Sequence, residues 1–337
     1  MMDLTTRYLG LELEHPVVAS AGPLSQTLAG VEALAEGGAS AIVLYSLFEE
    51  QLRAEVARDE QLIEVQSNAF AEALDYFPTA PITTKSAAYS YLSLIERSVK
   101  AVDVPIIASL NGADLGGWVE FSREAADAGA SAIELNIYLV PGDVMMTGDL
   151  VEKRHLEIVS AVSDAVSIPV SVKLSPYFSS VGNVALQLVD AGAAGLVMFN
   201  RFLNPDVDIE TLNTDAEFEL STPQEGRLPR TWIASLRNHT TASLAGSSGV
   251  ESSDDVVKYL LSGADVVMTT AALIRHGRSY SRELVGGLQS WMVRKGFVSL
   301  GQVRGMLAVP PVWEGETVRR GGYVSAIQAA KARYGAL

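Results

Sequence analysis

One phrase recurs along the 337-residue chain and constrains its fold more than any other feature: a helix end, a glycine, then a short apolar run. It reads Glu36-Gly-Gly-Ala-Ser-Ala-Ile-Val-Leu44, Asp127-Ala-Gly-Ala-Ser-Ala-Ile-Glu-Leu135, Asp190-Ala-Gly-Ala-Ala-Gly-Leu-Val-Met198 and Ser262-Gly-Ala-Asp-Val-Val-Met-Thr269. Glycine suits the C-cap of a helix, and an unbroken Ile/Val/Leu/Met run suits a strand covered on both faces. Asp103-Val-Pro-Ile-Ile-Ala-Ser109 and Ser167-Ile-Pro-Val-Ser-Val-Lys173 fall between these repeats, each entering its strand through a proline, which costs no ladder donor there. With His15-Pro-Val-Val-Ala-Ser20 and Ala242-Ser-Leu-Ala245, the strands are predicted near 17–20, 41–44, 105–109, 132–136, 170–174, 195–198, 242–245 and 265–269.

Helical spacing separates most of them, over Thr27–Glu36, Trp118–Ala128, Asp149–Val166, Val181–Val189 and Ser253–Leu261. Eight alternating units predict an α/β fold, a closed parallel (β/α)8 barrel. A Rossmann fold would need a Gly-x-Gly-x-x-Gly turn after an early strand, and none is present. Residues 1–337 are expected to form one domain, with long insertions after strands two (45–103) and six (199–241). A C-terminal helical extension, 281–337, is expected to pack on the barrel, with helices over Arg282–Lys295 and Ser299–Met306, a Pro310-Pro311 break and a short final helix.

A formal charge of −15 makes phosphate backbones and anionic lipid poor partners, and no basic cluster offsets it. The absence of cysteine excludes disulfides, thiolate metal ligands and a cysteine nucleophile. No apolar run approaches a bilayer span, and Met1–Leu13 lacks the basic and apolar regions of a signal peptide, so a cytoplasmic location is expected.

In such a barrel the chemistry gathers just past each strand. Those positions are Ser20–Gly22, Tyr45 and Ser46, Ser109–Gly112 with Asn111, Asn136–Pro141, Lys173–Pro176, Asn200 and Arg201, Gly246–Gly249, and Thr269 with Thr270. Their amides and hydroxyls suit a flat, heteroatom-rich ligand. The four dispersed histidines do not suit a metal. Gly246-Ser-Ser-Gly249 and Thr269-Thr270 follow the two strands whose turns often hold phosphate on backbone N–H groups. Lys173 is open to three readings: stabiliser of ligand negative charge, Schiff-base former, or partner of a strand carboxylate. Arg227, Arg230 and Arg237 either meet an acidic substrate or balance the acidic run Asp206–Glu219, itself expected to be a solvated loop.

Pro16-Val-Val-Ala-Ser-Ala-Gly22, Glu134-Leu-Asn136, Val172-Lys-Leu-Ser-Pro176, Asn200, Gly246-Ser-Ser-Gly-Val250 and Gly263–Leu273 together resemble the soluble, FMN-dependent branch of the dihydroorotate dehydrogenase family. The resemblance implies that Ala19, Ser20 and Gly22 lie along the flavin and that Lys173 meets its pyrimidine edge. It further implies that Asn136 and Asn200 bridge flavin and substrate, while Gly246, Ser248, Gly249, Thr269 and Thr270 hold the phosphate. Ser46, Ser109 and Asn111 join that set as strand-end positions. A homodimer and a redox partner protein are the oligomeric expectations.

The sequence departs from the family in the loop after strand four. The family's Asn-x-Ser-Cys-Pro-Asn, with Cys or Ser as base, is replaced by Asn136-Ile-Tyr-Leu-Val-Pro141. The family's lysine after strand two is replaced by Leu44-Tyr45-Ser46, and its Asn-rich substrate loop has no clear counterpart in Glu64–Pro81. Tyr138 is the ionisable group left in the strand-four loop; it is either a proton donor, for which it is better suited than for removing a proton, or an aromatic wall of the site. The expected activity is FMN-dependent redox chemistry at a C–C bond of a small planar substrate, with Tyr138, Lys173, Asn136 and Asn200 at the reacting centre. The rival readings are a degenerate FMN- or phosphate-binding barrel acting as a partner subunit, and a Lys173 Schiff-base lyase.

Overall fold

The computed structural model describes residues 2–49, 86–112, 117–137, 139, 144–202, 206–215, 219–310 and 315–335. An antiparallel hairpin, β1 (Thr6–Tyr8) and β2 (Leu11–Leu13), precedes the barrel. The barrel strands are β3 (Val17–Ala19), β4 (Ile42–Phe48), β5 (Ile106–Gly112), β6 (Ala132–Ile137), β7 (Val170–Lys173), β8 (Gly195–Met198), β11 (Ser243–Gly246) and β12 (Val266–Thr269). They close in chain order, with β12 pairing β3. All eight lie where the sequence pattern puts them, to within a few residues at their ends. The carbonyls of Pro105 and Pro169 accept from Ile42 and Ile133 at the first rung of the ladder.

Helices α1 (Leu28–Glu36), α2 (Ala87–Ala101), α3 (Trp118–Asp127), α4 (Gly148–Ala165), α5 (Val181–Asp190), α6 (Arg227–Leu236) and α7 (Ser253–Ser262) alternate with the strands. They are followed by α8 (Ala271–His276), α9 (Tyr280–Lys295) and α10 (Gly315–Tyr334). Thus each long insertion contains an ordinary barrel helix, α2 or α6. Several other expectations need correction. Ser299–Met306 is a 3-10 turn, Leu300–Gln302, followed by non-helical turns, because Gly305 takes a φ of 76° and backbone bonds from Gly305 and Leu307 to Leu260 and Leu261 draw the chain onto α7. The final helix is 20 residues long rather than short. The acidic run contains a hairpin, β9 (Asp206–Asp208) and β10 (Asn213–Asp215).

Side chains alternate along each strand, and the inward set changes character with height. At the N-terminal end Val18, Val43, Ile107, Ala132, Val197, Ala245 and Val266 pack with Tyr8, Leu9 and Leu13 of the hairpin, which plugs that mouth. Leu9 N–H donates to Ser243 Oγ and Thr6 Oγ1 to the Asp265 carbonyl, fixing the plug at the strand starts. One layer higher the inward residues are Ser109, Glu134 and Ser171, all fully buried, with Glu134 in register with both. Higher still come Asn111, Asn136 and Lys173. No described helix is long and apolar enough to cross a membrane.

Candidate active site

The C-terminal mouth of the barrel opens into a cavity of about 800 Å3. Ser20, Gly22, Ser46, Asn111, Asn136, Lys173, Asn200, Ser248, Gly249, Thr269 and Thr270 line it, so the strand-end positions converge on one space. Ala19, Ser109 and Gly246 stand behind its wall instead. Ala19 is buried in the core, Ser109 Oγ lies 2.9 Å from Ser46 Oγ, and Gly246 backs onto the Tyr259 ring. Tyr138 and the segment Glu64–Pro81 lie outside the described residues.

The floor is polar and nearly closed to solvent. Asn200 Nδ2 donates to Asn136 Oδ1 at 2.7 Å, which orients both amides. Beside Asn136 on the next strand, Lys173 Nζ lies 3.7 Å from Glu134 Oε1, with side-chain exposures of 10% and 1%. The ammonium therefore has a carboxylate partner within the barrel, as one of the readings that sequence left open has it, while also facing the cavity. Glu134 itself escaped the strand-end search because it sits one layer below the mouth. Its signal was the alternation Ala132, Glu134, Asn136 on a strand that otherwise reads as apolar.

One wall is aromatic. A register shift between Val43 and Ser46 lets consecutive residues, Tyr45 and Ser46, both reach the cavity, as a bulge does. Tyr45 stacks edge-on against Tyr91 at 5.1 Å, and the Tyr91 hydroxyl both donates to the Ser109 carbonyl and accepts from its N–H. Burial raises the Tyr45 pKa, keeping its phenol neutral.

At the other end two turns meet. Ser248 and Gly249 take φ values of 73° and 65°, and Ser247 N–H is used by the Met198 carbonyl. A Cβ on Gly249 would lie 2.5 Å from the Thr222 carbonyl oxygen, so both backbone angle and space require glycine. Tyr259, fully buried, holds this turn from behind, its hydroxyl donating to the carbonyls of Ser247 and Ser248 at 2.8 and 2.7 Å. Thr269 Oγ1 donates to the Val250 carbonyl and Thr270 Oγ1 to that of Ser20. The two threonine hydroxyl protons are thereby used within the protein. Among the described residues, the N–H groups of Ser248, Gly249, Thr270 and Ala271 have no protein acceptor.

Two arginines strap the chain over this end. Arg201 reaches the Glu219 carbonyl and Glu225, and Arg275 reaches the carbonyls of Leu220 and Ser221 together with Glu251. Leu220 and Ser221 line the cavity. The other three arginines singled out by sequence are elsewhere. Arg230 faces Asp255, Arg237 faces Asp265, and Arg227 is exposed on α6.

Comparison with known proteins gives this chain its family. Residues 79–292 match the family model for dihydroorotate dehydrogenase. The chain belongs to the dihydroorotate dehydrogenase family. It is an oxidoreductase of that family. A putative dihydroorotate dehydrogenase A (fumarate) of Aeropyrum pernix is 29% identical over 218 residues, covering 63% of this chain and 70% of that protein. Two dihydroorotate dehydrogenase B (NAD(+)) catalytic subunits are similar over longer spans. That of Thermoplasma acidophilum is 26% identical over 91% of this chain and 99% of its own length. That of Methanothermobacter thermautotrophicus is 27% identical over 90% and 98%.

Proposed function

We propose that this dehydrogenase-family barrel binds FMN and carries out two-electron redox chemistry on the CH–CH or C=C bond of a small planar, dihydroorotate- or orotate-like substrate. The observation that carries the reading is the polarity of one cavity. Spare backbone N–H groups lie at one end, and Lys173 with three asparagines lies at the other. The residues present fit such a group: the volume is that of a cofactor site, and Ala21, Pro23, Phe199, Val250, Met268 and Ile274 supply apolar lining.

In this reading the turns at Ser248-Gly249 and Thr270-Ala271 hold the phosphate through backbone N–H groups, while Thr269 and Thr270 shape those turns. Gly246 works indirectly, by admitting the Tyr259 ring: a Cβ there would lie 2.2 Å from it. Ala19 and Ser109 likewise support residues that touch the ligand. Lys173 stabilises negative charge on a heteroatom edge. Asn136, fixed by Asn200, presents its remaining polar atoms to ligand and substrate, and Asn111 adds a further amide. Ser20, Gly22 and Ser46 complete the contact surface. Bound FMN supplies hydride transfer, and Tyr138 is assigned the proton at the other carbon. Two relatives are named catalytic subunits, which supports a partner subunit for this chain; a homodimer in the cytoplasm belongs to the same proposal.

The test is titration of the apoprotein with FMN, followed by dithionite reduction and assay against dihydroorotate and a panel of enones. Stoichiometric uptake with bleaching, and turnover of a panel member, is the expected result. Absence of uptake overturns the flavin reading, and uptake without turnover overturns the catalytic one.

A further inference from the structure

Glu134 is buried inside the barrel, and neither carboxylate oxygen has a hydrogen-bond partner. The Tyr8 hydroxyl, buried nearby and raised in pKa by burial and by the Glu134 charge, makes no hydrogen bond to it, and its two in-register neighbours are engaged elsewhere. Ser171, opposite it on β7, donates to the Ile133 carbonyl, and Ser109, opposite it on β5, lies within hydrogen-bond distance of Ser46. An isolated carboxylate in such a place is strongly disfavoured, so its charge needs compensation. Among the described residues, the cation paired with it is Lys173, at 3.7 Å, one layer up and on the adjacent strand. That separation neutralises charge without consuming N–H donors. Among the described residues no protein acceptor takes a hydrogen bond from Lys173, so its donors remain available to whatever occupies the cavity.

We infer that Glu134 is a positioning residue: it retains the Lys173 ammonium at the cavity floor and balances its charge, leaving the ammonium's donors directed at a ligand edge that carries adjacent acceptors. The inference rests on the flavin reading for the identity of that edge. It assigns Glu134 no contact with substrate or cofactor. With the pair intact the floor is close to neutral. Removing the carboxylate leaves one net positive charge beneath the ligand, and removing the ammonium leaves one net negative charge.

The experiment compares wild type, Glu134→Gln, Glu134→Asp, Lys173→Met and the Glu134→Gln/Lys173→Met double variant, each loaded with FMN, by spectroelectrochemical titration against a reference dye. Glu134→Gln is expected to raise the reduced-to-oxidised ratio at fixed potential at least tenfold, about 30 mV for a two-electron couple. Lys173→Met lowers it, the double variant returns toward wild type, and Glu134→Asp retains most of the wild-type value. A purely structural role for Glu134 would lower the thermal midpoint without this opposed pattern. If Glu134→Gln does not accumulate folded, the comparison of Lys173→Met with the double variant decides. Adding Glu134→Gln must restore FMN affinity and shift the ratio upward, and no change overturns the inference. Wild type that takes up no FMN refutes the proposed function and, with it, this inference. Wild type that binds FMN while Glu134→Gln titrates identically refutes the inference alone.

Discussion

Replacing Tyr259 by Phe tests whether the turn at Ser247–Gly249 is held from behind. The ring stays in place against Gly246, and one hydroxyl is lost. That hydroxyl, kept protonated by burial, faces two carbonyls at 2.8 and 2.7 Å, so its removal leaves both without their donor. Leaving buried acceptors unsatisfied costs about 1–3 kcal/mol. For 337 residues the unfolding entropy is roughly 0.7 kcal/mol/K, which converts that cost into a drop of about 1.5–4 °C in thermal midpoint. If about 1–2 kcal/mol of it is expressed in the turn, FMN affinity falls roughly 5–30-fold. Scanning calorimetry on apoprotein and fluorescence titration with FMN read the two effects. Riboflavin, which has no phosphate, should bind wild type and variant equally. An unchanged midpoint would refute the brace, and a lowered midpoint with unchanged FMN affinity would refute the assignment of this turn to the phosphate.

The remaining expectations concern the floor, the loop and the core. Lys173→Met strands the Glu134 carboxylate and should destabilise the fold by about 3–5 kcal/mol in urea titration; a cost under about 1 kcal/mol would mean the pair is not coupled. Tyr138→Phe should reduce turnover of an identified substrate roughly 10²–10⁴-fold with the FMN spectrum intact, and equal turnover removes the proton-donor role. Burial holds His155, and likewise His15, below the ordinary imidazole value of 6.5. Below that pH the unfolded chain binds protons that the folded chain refuses, so stability is full above about pH 6.5 and declines toward the lower folded values. The thermal midpoint should fall from pH 7 to pH 5, and more gently in His155→Gln; parallel slopes would contradict the role of His155.

Strand positions were legible because a glycine after a helix and an apolar run covered on both faces are local requirements, satisfied within a few residues. The same locality made the mouth legible: Asn111, Asn136, Lys173, Asn200 and Thr270 each follow or end a strand, and a closed barrel brings strand ends together. The 3-10 turn at Leu300 was not legible, since its apolar spacing resembles a helix and the bonds to Leu260 and Leu261 that break it come from α7.

The sequence by itself determined which segments are strands, that they close into a barrel, and which polar groups gather at its mouth. Only the tertiary structure decided that Thr269 and Thr270 donate to protein carbonyls, that Tyr259 braces a turn before its own helix, and that Glu134 lies under Lys173. Those relations join residues on different strands and helices. Their distances depend on register and strand height around the closed sheet, which no local pattern encodes.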